Sequence, residues 1–140
     1  MIPVSRNPFP KPRRLYGKQR TPKNDLEAAV LKECKVYLKT NRCVLYVERR
    51  NTGAVAFDDG SRVSFGAPGA ADLWILARSP LNPGNVRHIE IECKRRDGKG
   101  KLSEGQKTFA NNMAALGVIY LAVQSAEELK KKLESFGFMD

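Results

Sequence analysis

From Arg87 to Arg95 the chain alternates without interruption: Ile89, Ile91 and Cys93 fall on one side, and His88, Glu90, Glu92 and Lys94 on the other. A period of two marks an extended strand, because successive side chains leave a β-strand on opposite faces. The apolar row demands a core to cover it. The other row sets acids and a lysine side by side, and taken alone it also fits the solvent face of an antiparallel strand. A second constraint lies upstream. Asp72 opens the run Leu73-Trp74-Ile75-Leu76, which is apolar on both faces and reads as a buried strand. An acid at the mouth of such a strand is costly unless it has a partner. The plain alternative is a turn residue capping its own backbone.

The remaining elements follow from punctuation. Asn24 is a good N-cap for a helix running to about Thr40, with Leu26, Val30, Leu31, Cys34, Tyr37 and Leu38 on an apolar arc and Lys32, Lys35 and Lys39 opposite. Strands are expected from Cys43 to about Arg50, over 54–57 and 62–65 around the turn Asp58-Asp59-Gly60, from Asp72 to Ala77, and from Arg87 to Arg95. Gly66-Ala67-Pro68-Gly69 and Asn82-Pro83-Gly84 read as a loop and a turn. Ser103 caps a helix that ends before Gly117, Val118 to Val123 forms another strand, and Ser125 with Glu128 forms a capping box for a last helix. The order is helix, three or four strands, helix, strand, helix. It predicts an α/β fold in which helices flank a mixed β-sheet.

With 140 residues the chain fits one domain and a short tail. Residues 1–23 hold five prolines, seven cations (Arg6, Lys11, Arg13, Arg14, Lys18, Arg20 and Lys23) and no acid, so they read as a basic, proline-rich flexible tail ahead of a domain over 24–140. Such an arm serves either as a phosphate contact or as a solubilising leader. The whole chain carries 25 Lys and Arg against 15 Asp and Glu, a formal charge of +10. That excess favours a polyanionic partner, nucleic acid first; a merely soluble basic protein or a ribosome-associated one is the alternative. Cys34, Cys43 and Cys93 form no C-x-x-C pair and no disulfide framework. Free thiols, no membrane-length apolar run and no signal-peptide stretch predict a cytoplasmic protein without a membrane partner.

Chemistry concentrates in a few side chains. Glu92 and Lys94 share one strand face, where a carboxylate and an ammonium can hold a divalent cation and a water side by side. Asp72 on an adjacent strand would add the second hard oxygen that Mg²⁺ or Mn²⁺ prefers. Glu27 falls inside the apolar arc of the first helix, not with its lysines. It either faces the acidic cluster or, three residues after Asn24, closes a capping box. Gln106, three residues after Ser103, has the same two readings.

Asp72 followed by Glu92-Cys93-Lys94 resembles the D…E-x-K signature of the PD-(D/E)XK nuclease superfamily. The order of Glu27, Arg50-Asn51-Thr52-Gly53, Gly66-x-Pro68-Gly69-x-x-Asp72, Ile91-Glu92-Cys93-Lys94 and Lys101-Leu102-Ser103-x-x-Gln106 resembles its VRR-NUC branch, over roughly residues 24 to 124. One departure is Ala71, where that family usually has proline; the position shapes a loop and is not a ligand. The resemblance implies a restriction-endonuclease-like core in αβββαβ order. It implies metal ligation by Asp72, Glu92, the Cys93 backbone carbonyl and Glu27. Lys94 would orient and activate the attacking water, and Gln106 would position Lys94 or the phosphate. It further implies a homodimeric Mg²⁺- or Mn²⁺-dependent endodeoxyribonuclease acting on branched DNA such as a Holliday junction. Arg49, Arg50, Asn51, Arg62, Arg95, Arg96, Lys99 and Lys101 flank these positions and are the expected phosphate contacts. Competing expectations are a non-catalytic nucleic-acid-binding protein, an RNA endonuclease of the same fold, and a partner-binding module with a vestigial site.

Overall fold

A computed structural model describes residues 26–50, 53–65, 67 and 69–139. The basic tail, Asn24, Asn51, Gly66 and Pro68 lie outside the described residues. Among those described, three helices and six strands follow the order α1 (Glu27–Thr40), β1 (Val44–Arg49), β2 (Gly53–Ala56), β3 (Arg62–Phe65), β4 (Leu73–Arg78), β5 (Val86–Cys93), α2 (Glu104–Ala115), β6 (Ile119–Val123) and α3 (Ala126–Ser135).

Four strands form a mixed sheet in the order β1-β4-β5-β6. β1 pairs antiparallel with β4 and β4 antiparallel with β5, whereas β5 and β6 run parallel, which requires the crossover that α2 provides. β2 and β3 pair only with each other, as a hairpin closed by Asp58-Asp59-Gly60. There the Asp59 carboxylate accepts from both the backbone and the hydroxyl of Ser61, and Gly60 takes the positive φ that the turn requires. Five strands therefore precede α2, not three or four, but only three of them join the sheet. The overall architecture is the expected α/β arrangement of helices around a mixed sheet.

The core lies on one face of that sheet. Leu73, Ile75 and Ala77 of β4, Ile89, Ile91 and Cys93 of β5, and Ile119, Leu121 and Val123 of β6 meet Val30, Cys34 and Leu38 of α1 and Leu129 and Leu133 of α3. Each fully buried Leu or Ile contributes about 1.5–3 kcal/mol by leaving water. The spacing 30, 34, 38 is a single helical stripe, as expected from the apolar arc.

The opposite face departs from an ordinary exposed strand. Glu90 and Glu92 are 1 % and 2 % exposed, and Lys94, just past the end of β5, only 8 %. They are covered from elsewhere in the chain. Arg50 forks onto Glu90 with two hydrogen bonds of 2.7 and 2.8 Å, and lies over the Phe109 ring of α2, its guanidinium carbon 5.6 Å from the centroid. Phe109 packs edge-on against Tyr120 of β6. A bidentate guanidinium is what makes a buried carboxylate tolerable; removing one partner of such a pair costs roughly 3 kcal/mol or more.

Two capping expectations are corrected. α1 begins at Glu27 with Leu26 as its N-cap and no side-chain cap, so Glu27 is the first helical residue and not the third. It therefore cannot close a capping box from Asn24. At α3 the Ser125 hydroxyl does accept from the Glu128 amide, but the Glu128 carboxylate accepts from the Gln124 amide at 3.3 Å rather than from that of Ser125. At α2 the complete box of Ser103 and Gln106 is present.

Candidate active site

The antiparallel register pairs Leu73 with Ile91, which places Asp72 opposite Glu92, one step further along. Asp72 does not cap its own backbone. Its Oδ2 accepts a 2.9 Å hydrogen bond from the Cys93 amide across the strand pair, and its own carbonyl accepts from the Arg50 amide at 2.8 Å. Three strands are thereby tied together at the point where the carboxylates meet. The loop leading into Asp72 is fixed from the other side. Gly69 has a φ of +75°, and a Cβ there would stand 2.3 Å from the backbone carbon and oxygen of Gly105 in α2. Only glycine permits this approach.

Gln106 joins α2 to the carboxylates. Its Oε1 accepts from the Ser103 amide at 2.9 Å, completing the cap, and from Lys94 Nζ at 2.8 Å. Its Nε2 donates to Glu92 Oε1 at 2.8 Å. The two readings left open for Gln106 are both true at once. Lys94 is held at its backbone by a 2.8 Å bond from its amide to the Val123 carbonyl, and its ammonium stands 3.5 Å from Glu92 and 3.9 Å from Glu27. Glu27, freed from any cap, thus faces the lysine from the start of α1, with its side chain half exposed.

Electrostatics sets Glu92 apart. Burial, reinforced by the negative charge of Asp72 and only partly offset by Lys94, pushes its carboxyl up to about 7. Glu92 Oε1 takes the Gln106 amide, while Oε2 is buried and has no hydrogen-bond partner among the described residues. A carboxylate oxygen left bare in this way is expensive unless something positive meets it. Tyr120, whose hydroxyl is also buried with no partner among the described residues, is raised by burial and by the charge of Glu92. The Cys93 thiol points into the core, where its hydrogen bond with Cys34 and burial hold it far above the usual thiol range; it remains a small core hydrophobe.

The structure brings Asp72, Glu92, Lys94, Glu27 and Gln106 into one cluster. Among the described residues, no three His, Cys, Asp or Glu side chains converge closely enough to form a ready metal cage. The basic positions divide. Arg50 is committed to Glu90, Arg95 pairs with Asp97, and Arg96 pairs with Glu33 of α1. Arg49, Arg62, Lys99 and Lys101 are exposed, and Asn51 lies outside the described residues. The Arg50–Glu90 pair had one signal in the sequence, the place of Glu90 on the same alternating row as Glu92. Compared with protein-family models, curated proteins and solved structures, the chain matches none.

Proposed function

We propose that this chain is a divalent-metal-dependent endonuclease with a restriction-endonuclease-like core, related to the VRR-NUC branch, that hydrolyses phosphodiester bonds in DNA. The observation that carries the reading is the buried Oε2 of Glu92, without a partner among the described residues, opposite Asp72 and beside a lysine held in place by Gln106. The residues fit a hard cation. Asp72 keeps one oxygen beyond its bond to the Cys93 amide, Glu92 offers Oε2, and the Cys93 carbonyl would complete the protein donors. Mg²⁺ suits so small a set because it retains several of its own waters. When bound, the cation would polarise a phosphoryl oxygen and offset the charge that develops during attack.

The chain's own groups do the rest. Lys94 is aimed by acceptors on two sides, so it can orient a water and stabilise it as it loses its proton. Glu27 restrains the ammonium from the third side and would hold a further water. Gln106 fixes Glu92 and Lys94 relative to each other, which preserves the attack geometry. Dimerisation and a preference for branched DNA remain part of the proposal on the sequence resemblance, since two sites related by a twofold axis suit paired cuts.

The test is cleavage of labelled four-way junction, linear duplex, single-stranded DNA and RNA in Mg²⁺, Mn²⁺ or EDTA, with Glu92→Ala and Lys94→Ala alongside. Metal-dependent cutting that falls by about a hundredfold or more in both variants is expected. Binding without cutting, equal in wild type and variants, would leave a non-catalytic nucleic-acid-binding protein; preferential cutting of RNA would make it a ribonuclease.

A further inference from the structure

We infer that a basic groove between α1 and β1 is the track along which the phosphate backbone of one nucleic-acid strand approaches the site. The choice of nucleic acid as occupant rests on the nuclease reading above. The groove is lined by Leu31 and Val36 together with Lys32, Lys35, Lys39 and Arg49, with no acid among its lining residues. Among the described residues, none of these four cations has an ion pair or side-chain hydrogen bond. They differ in this from Arg50, Arg95 and Arg96, which acids already hold.

Position gives the groove a direction. Glu27 opens α1 and faces Lys94, while the Arg50 amide, next to Arg49, bonds the Asp72 carbonyl. One end of the groove therefore lies at the carboxylates. From there Lys32 is about 7.5 Å and Lys39 about 18 Å along the helix axis, at 1.5 Å per residue. The spacing of 32, 35 and 39 keeps the ammonium groups on one helix face. Their span of about 10 Å matches the axial rise of roughly three phosphate-to-phosphate steps on one strand. Leu31 and Val36 in the same lining suit the aliphatic stems of the lysines, whose charged ends can then meet phosphate. A helix face charged merely for solubility would be expected to mix both signs, as α3 does with Lys131 against Glu127 and Lys132 against Glu128.

The test measures binding of short labelled duplex and single-stranded DNA in EDTA, across a range of KCl concentrations, so no cleavage is involved. Lys35→Gln with Lys39→Gln is compared with Lys130→Gln and Lys131→Gln on α3, which remove the same charge from exposed positions. The α1 pair is expected to weaken binding about tenfold and to reduce the slope of log affinity against log salt by roughly 1 to 2. The α3 pair should leave the slope unchanged. Equal effects from both pairs, or no change in slope from the α1 pair, would overturn the track. A catalytically inert protein that shows the expected slopes would instead sink the nuclease reading and leave the groove standing.

Discussion

Glu92 carries the sharpest conflict in the molecule. It is an acid buried against another acid, and its carboxyl is pushed up to about 7 chiefly by burial. A group whose pKa is higher folded than unfolded stabilises the fold while it keeps its proton. In metal-free protein its contribution is complete below the ordinary value of 4.5 and disappears as pH rises through about 7. Thermal melts in EDTA should therefore show stability falling across that window, and Glu92→Gln should flatten the fall. A variant that keeps the full wild-type slope would show that another group is responsible. Beside it Asp72 accepts from a backbone amide, and Glu90 is forked by a guanidinium.

Among the elements, α2 is placed by its first turn. The backbone of the Gly69 loop rests on Gly105, and the Ser103 cap fixes the turn that presents Gln106. Gly69→Ala combines a positive φ with a Cβ driven into backbone, and should cost about 1–3 kcal/mol. Urea denaturation would show the lowered midpoint, and cleavage should fall further than stability alone explains, because the loop also delivers Asp72. An unchanged midpoint would mean that the loop has room to move. Much at this scale was legible beforehand: the alternation of β5, the Ser103–Gln106 box and the stripe of α1 are local patterns. What was not legible depends on distance. The alternating row marks Glu90, but it does not single out Arg50, forty residues earlier, as the group that covers it. The four-residue strands β2 and β3 carry the same local signature as sheet strands, and only the tertiary pairing sets them apart. At the start of α1, capping preference pointed to Asn24, while the helix begins later and turns Glu27 toward Lys94.

For the molecule as a whole, the site exists only when α1, β4, β5 and α2 are assembled, so a cation held there binds the folded chain and not the unfolded one. Mn²⁺ or Mg²⁺ at about a hundred times its dissociation constant should raise stability by roughly 2.7 kcal/mol. The melting temperature of the wild type should rise by several degrees, and that of Glu92→Ala should not. Equal shifts in both would place the ion elsewhere. The formal charge of +10 leads one to expect a polyanionic partner but does not say which cations the fold leaves unpaired, because pairing is a property of the assembled surface. The same entanglement of local and global demands reaches down to one side chain. Glutamate would finish the α2 cap as well as glutamine does. At position 106, however, a carboxylate would bring a second negative group against Glu92 and could not donate to it. Helix grammar admits two letters at this position, and a residue on another element chooses between them.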